Sequence, residues 1–261
     1  MNMQTLVKPR LSYLKDLLLQ MVGRDLKLRY RGSILGIAWS LLNPLVQLLV
    51  FNFVFRAVLP LNIPNYTIYL FIGVLAWSWF QTSLAGSANV IVEGRSLIKR
   101  PSFPVAILPV VVVLSNLLHF LLALPVLAFF IWQAGIPLGM PVLLLPLVIV
   151  LQALFTLSLS YFVATFHVFF RDTQHLVGVF LFLLFYLTPV FYNADSIPEK
   201  YQFIYRLNPV LQLLEAYRAV LLNNSMPSIG SLLIMTACSL AALALGYRLF
   251  IRASYRFVEE L

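Results

Sequence analysis

Apolar residues in this 261-residue chain collect into long blocks separated by short polar stretches. The blocks run over about 33–59, 66–92, 105–132, 141–166, 176–192 and 229–251. They approach or exceed the ~20 residues a helix needs to cross about 30 Å of hydrocarbon. Pro44 falls inside the first block and marks a kink, and a proline-containing turn over 60–64 leads into the second. The predicted fold is all-α: one polytopic membrane domain over 1–261 with six transmembrane helices.

Two segments break this rhythm. Over 10–22, Leu11, Leu14, Leu18 and Met21 share one helical face while Arg10, Lys15 and Asp16 lie elsewhere. That pattern predicts an amphipathic helix lying in the headgroup layer. The basic stretch from Arg24 to Gly32 then turns the chain into the bilayer. Between the fifth and sixth blocks, Ser196 and Glu199 have capping-box spacing, which starts a short helix at Pro198. Asn208-Pro209 ends that helix and starts another, which stops near Asn223-Asn224. This second piece is apolar for only 13 residues, 210–222, and carries Glu215 and Arg218. Its length predicts a re-entrant pair of helices over 197–223, and such backbone is tolerated only where protein or a water-filled cavity shields it.

Composition closes off other classes. Hydrophobic residues make up 61% and charged residues 10%, against roughly a quarter charged in a soluble domain. A water-facing globule cannot be coated with so few polar side chains. The lone Cys238 excludes a disulfide framework or zinc cluster, and the charged first 31 residues lack the apolar core of a cleavable signal peptide. The net charge of +9 invites a nucleic-acid reading, but the basic residues flank the apolar blocks. With the N-terminus inside, Lys8, Arg10, Lys15, Arg24, Lys27, Arg29, Arg31, Arg95, Lys99, Arg100, Arg171, Arg248, Arg252 and Arg256 face the cytoplasm. Only Arg56, Lys200, Arg206 and Arg218 face the other side. This bias predicts cytoplasmic termini and no nucleic-acid partner.

No source of energy is visible in the spans. The carboxylates (Asp16, Asp25, Glu93, Asp172, Asp195, Glu199, Glu215, Glu259 and Glu260) all fall outside the six blocks, and only His119 sits mid-span. An ion-coupled carrier keeps such groups at membrane depth. No phosphate-binding GxxxxGK[ST] loop and no GxSxG is present, so the chain is expected to be no enzyme and to bind no cofactor. Energy for transport must then enter through a partner. The stretch Glu93, Gly94, Arg95, Ser96, Leu97, Ile98, Lys99 and Arg100 reads either as a short helical peg for an ATPase or as a plain positive-inside turn. Arg171 and Asp172, in the next cytoplasmic loop, carry the same two readings.

Several motifs in order carry a resemblance. They are RDLKLRYRGSILGIAWSLLNP (24–44), EGRSLIKRPSFP (93–104), FRDTQH (170–175), TPVFY (188–192), and Asn208-Pro209 followed by EAYR (215–218). Together they resemble the membrane subunit of type-2 ABC exporters, in the branch that exports O-antigen, capsular polysaccharide or teichoic acid. The resemblance implies a homodimer of six-helix subunits in the inner membrane, joined to two copies of a separate ATPase that holds ATP and magnesium. It implies a substrate gate at Arg24, Lys27, Arg29, Tyr30 and Arg31, a coupling helix at 94–100, and a periplasmic gate that includes Pro198, Asn208, Pro209, Glu215, Tyr217 and Arg218.

Aromatic residues bear on the cargo, because sugars stack their C–H faces on aromatic rings. The chain holds 21 Phe, 12 Tyr and 4 Trp. Tyr69, Trp77, Phe80, Tyr186, Phe191 and Tyr192 are the channel-lining candidates, although Trp77 and its neighbour Trp79 equally suit packing between helices. The basic run at 24–31 suits the pyrophosphate of a lipid-linked glycan, or simply topology and anionic membrane lipids. A drug or lipid exporter of the same architecture is the alternative cargo reading.

Overall fold

The computed structural model describes residues 11–58, 63–100, 102–194 and 197–260, and no strand occurs among them. The helices are α1 (Leu11–Arg29), α2 (Trp39–Asn52), α3 (Tyr66–Glu93), α4 (Arg95–Ile98), α5 (Ile107–Gln133) and α6 (Leu145–Phe169). They continue with α7 (Thr173–Leu187), α8 (Glu199–Arg206), α9 (Pro209–Leu221), α10 (Ile229–Ser254) and α11 (Phe257–Glu260). A π-helical turn, Phe53–Val58, extends α2, and a 3-10 stretch, Met140–Leu144, leads into α6. Lys8, Arg10 and the expected cap Ser196 lie outside the described residues.

Five helical segments are long and apolar enough to cross a membrane: Trp39–Arg56, Tyr66–Glu93, Ile107–Gln133, Met140–Phe169 and Ile229–Ser254. They coincide with the first four and the last of the apolar blocks. The block at 176–192 differs. Its helix α7 stops at Leu187 after 15 residues, about 22 Å at 1.5 Å per residue. The cause is Pro189, whose ring disfavours helical geometry in the preceding residue; Thr188 is extended, at φ −103° and ψ 131°.

Helix α3 forms the centre of the protein. Leu70, Phe71, Trp77, Phe80 and Leu84 are all buried, because α2, α5, α6, α7 and α9 pack around it. A helix covered over most of its surface needs only a narrow polar stripe, and Gln81 and Thr82 lie on the part of α3 that is left uncovered. Outside this centre, α10 packs on α6 through small residues. A Cβ on Gly246 would stand 2.9 Å from the Ser158 carbonyl oxygen, so only glycine lets the two backbones approach so closely.

Helix α1 corrects the N-terminal reading. It does not end at Met21 or Val22 but continues through the basic stretch to Arg29. Arg and Lys are good helix formers, and Leu18, Val22 and Leu26 extend one apolar stripe onto Ile107, Val111 and Leu114 of α5. The contact continues to Asn116 and His119, so α1 runs alongside α5 for about 18 Å. By contrast, α7 buries only Leu181 and leaves Leu176, Val179, Phe182 and Leu183 uncovered.

Candidate functional site

The break after α7 leaves backbone carbonyls without helical partners, and each must be satisfied inside a membrane. The structure satisfies four in a row. Arg218 donates from Nη1 to the Pro189 carbonyl at 2.9 Å and from Nη2 to the Val190 carbonyl at 2.8 Å. The Tyr66 hydroxyl donates to the Phe191 carbonyl at 2.9 Å, and the Tyr69 hydroxyl to the Tyr192 carbonyl at 2.7 Å. The Arg218 guanidinium also lies 3.5 Å from the centre of the Tyr69 ring. Gly73 makes the approach feasible, since a Cβ there would meet the Val190 carbonyl oxygen at 2.8 Å and Arg218 Nη2 at 3.0 Å.

Asn208 ties the other end of this junction. Its Oδ1 accepts from the Val210 amide at 3.0 Å, capping α9, and its Nδ2 donates to Thr188 Oγ1 at 2.9 Å. Pro209 follows at the first helical position, where a missing amide proton costs nothing. The residues expected at a periplasmic gate thus separate into two groups. Asn208 and Arg218 bond to the 188–192 segment, Pro209 opens α9 beside Asn208, and Tyr217 is buried against Phe120. Pro198 and Glu215 are exposed.

The channel-lining candidates divide in the same way. Trp77 and Phe80 are each 2% exposed. Trp77 donates from Nε1 to Gln81 Oε1 at 2.8 Å and packs on Phe185, while Phe80 stacks on Phe155. Packing, not a lumen, is their role in this structure. Tyr69 is likewise buried, with both its ring and its hydroxyl engaged in the clamp. Tyr186 is 51% exposed, and Phe191 packs against both Phe51 and Phe55, which also stack on each other, with Tyr192 at its edge.

A second feature escaped the reading of the sequence. A cavity of about 830 Å³ opens between α2, α3 and α5. Asn43 and Gln47 of α2, Gln81 and Thr82 of α3, and Asn116 and His119 of α5 line it. Asn43 and Gln47 are four residues apart, Asn116 and His119 three, and Ser78, which also lines the cavity, stands one turn before Gln81 and Thr82, which places each set on one helical face. Had the spans been scanned for polar stripes rather than for charge, these residues would have stood out. At its mouth Arg29 donates from Nη1 to Asn116 Oδ1 at 2.9 Å, and the Tyr30 hydroxyl lies 3.3 Å from His119 Nε2. Of the proposed gate residues, Arg29 and Tyr30 therefore meet the cavity. Arg24, Lys27 and Arg31 instead line a groove along α1. Amides and hydroxyls both donate and accept hydrogen bonds, which suits a neutral, hydroxyl-rich ligand.

At the opposite end of α3 from Tyr66, the chain bends at Gly94 into α4. A Cβ at Gly94 would lie 2.8 Å from the Val90 carbonyl oxygen. The helical part of the expected 94–100 element is the four residues of α4. Ile98 is buried in a cluster with Ile91, Leu108, Val168, Phe250 and Phe257. Glu93, Arg95, Ser96, Lys99 and Arg100 remain exposed, with Leu97 half-buried, and Arg171 and Asp172 are exposed as well. The result is a firmly anchored, charged knob.

Comparison with known proteins agrees with this architecture. The chain is 34% identical to an O-antigen export system permease protein RfbA of Klebsiella pneumoniae, over 98% of both chains. It is 36% identical to a protein of the same name from Myxococcus xanthus, over 95% of this chain and 96% of that one. Residues 16–222 match the family model described as ABC-2 type transporter. The chain is a multi-pass membrane protein and a member of the ABC-2 type transporter family.

Proposed function

We propose that the chain is the permease subunit of an ATP-driven exporter that moves a lipid-linked, O-antigen-like glycan across the bacterial inner membrane. The reading is carried by identity of 34–36% along nearly the whole chain to proteins named as O-antigen export permeases. In this reading two copies form the conduit and both termini are cytoplasmic. Two copies of a separate ATPase subunit hold ATP and magnesium, and this chain binds neither.

The site's chemistry supports a cargo that carries sugar hydroxyls. The cavity between α2, α3 and α5 offers amides and hydroxyls, and the aromatic rings around Phe191 lie next to the irregular 188–192 segment. Arg24, Lys27 and Arg31 along α1 are placed to draw a diphosphate headgroup. The charged knob at 93–100 is the surface through which the ATPase acts.

Reconstitution tests the proposal. Proteoliposomes holding this chain and its ATPase should move a fluorescent lipid-linked oligosaccharide across the bilayer when ATP is supplied. ATP-dependent movement of a lipophilic drug or a plain phospholipid, without movement of the glycan lipid, would overturn the cargo assignment. Glycan movement without the ATPase would overturn the energy source.

A further inference from the structure

Helices α6 and α10 touch at Gly246, where a Cβ would lie 3.0 Å from the Phe162 ring. Toward the end that carries α4 and α11 they leave a groove of about 330 Å³. Phe162, Phe166 and Phe169 form one wall. Leu249 and Arg252 of α10, with Arg256 from the turn that follows, form the other. The spacings within each set place them on one face of the chain. Phe166 is 50% and Leu249 44% exposed, so the groove opens outward rather than into the protein.

Arg252 and Arg256 are both exposed, and so are Glu259 and Glu260, which follow Arg256 by one helical turn. Neither carboxylate is within ion-pair distance of the two guanidinium groups, which stand beside an aromatic trough. Topology explains basic residues at this end of the helix. It does not explain their convergence on a cleft whose other wall is three phenylalanines. A guanidinium fork matches phosphate oxygens, and an acyl chain fits an aromatic and aliphatic wall. Phe250 and Phe257 share a cluster with Ile98 of α4. The groove thus lies at the basic end, which the Lys/Arg excess assigns to the leaflet facing the cytoplasm.

We infer that this groove is a binding site for an anionic phospholipid, with its phosphodiester on Arg252 and Arg256 and an acyl chain along Phe162, Phe166 and Leu249. The site is separate from the proposed conduit and does not depend on the cargo. It lies on the outer face of the α6–α10 pair, whereas the polar cavity lies among α2, α3 and α5.

The test uses purified full-length protein in detergent. Phosphatidylglycerol and phosphatidylcholine with identical chains are titrated separately, with binding followed by native mass spectrometry and by thermal unfolding. Phosphatidylglycerol should bind in preference and raise the melting temperature. An Arg252→Ala/Arg256→Ala variant should bind it roughly thirtyfold more weakly, at about fivefold per arginine near a lipid surface. A Lys15→Ala/Lys200→Ala variant, which loses the same charge elsewhere, should bind it as the wild type does. Should the alanine pair fail to fold, Phe166→Ala should weaken both lipids while keeping a residual preference for phosphatidylglycerol. Equal binding of the two lipids by the wild type would overturn the site, as would equal weakening in both double variants. A shift from dimer to monomer in the Arg252/Arg256 variant without loss of lipid would overturn it too, assigning the face to a second copy of the chain.

Discussion

Arg218 and Tyr69 face each other across the junction at 188–192, with the guanidinium 3.5 Å from the centre of the phenol ring. Each also holds backbone of the same segment: Arg218 the carbonyls of Pro189 and Val190, Tyr69 that of Tyr192. The pair is one clamp made from two helices. Arg218→Lys keeps the charge but loses the fork that reaches two carbonyls at once. The variant should lose about 3 kcal/mol and most export activity, measured as thermal unfolding in detergent and as surface glycan in cells. Wild-type unfolding would show that the clamp does not hold the segment.

Gly73 is predicted to be intolerant of a single methyl group. Its Cβ would stand 2.8 Å from the Val190 carbonyl oxygen, a backbone atom that cannot swing aside, whereas a Cβ at Gly178 meets nothing within 4 Å. Gly73→Ala should destabilise by about 1–3 kcal/mol. Gly178→Ala, inside α7, should be neutral or stabilising by up to about 1 kcal/mol. Paired melting curves would decide, and equal behaviour of the two would contradict the geometry.

Asn208 performs two tasks that different substitutions separate. Asn208→Asp keeps the oxygen that caps α9 but has no Nδ2 proton to donate to Thr188 Oγ1. Asn208→Ala loses both. Alanine should cost about 1–2 kcal/mol and aspartate less. The expected order of melting temperatures is wild type, aspartate, alanine.

The knob at 93–100 should separate coupling from folding. Arg95→Glu and Lys99→Glu change exposed charges and should leave insertion and melting temperature intact while export falls under continuing ATP hydrolysis. Ile98→Ser instead places a hydroxyl in the buried cluster with Phe250 and Phe257, and should lower the melting temperature by several degrees. Unchanged export in both charge-reversal variants would remove the coupling role.

Water access distinguishes the polar cavity from the protein core. In a Cys238→Ser background, a cysteine at Gln47 or Gln81, both of which line the cavity, should react with a charged thiol reagent. A cysteine at Leu70, which is fully buried, should not. Equal inertness at all three positions would mean that the cavity is dry.

The long helices were legible because length and apolarity suffice to mark a span. The α9 start at Asn208-Pro209 was legible from local capping chemistry. Three things were hidden. The basic residues at 24–29 suggest a stop, yet the stripe Leu18–Val22–Leu26 carries α1 past them onto α5. The 176–192 block stays apolar across Thr188-Pro189, so hydropathy cannot report the break, although the residue before a proline is biased away from helix. Trp77 and Phe80 sit on a helix that is apolar over most of its surface, where periodicity cannot separate packing from lining. Their burial follows only from α3 lying at the centre.

The four pinned carbonyls also imply an order of assembly. A chain delivered from its N-terminus presents Tyr66 and Tyr69 before residues 189–192 exist. The carbonyls of Phe191 and Tyr192 therefore have donors waiting for them. Those of Pro189 and Val190 do not, because Arg218 comes 29 and 28 residues later, respectively. Until α9 arrives, the newborn half-helix α7 holds two acceptors that nothing in the preceding chain is positioned to satisfy. Until Arg218 docks, the two carbonyls have only water or the insertion machinery to bond, so this turn is completed late in assembly.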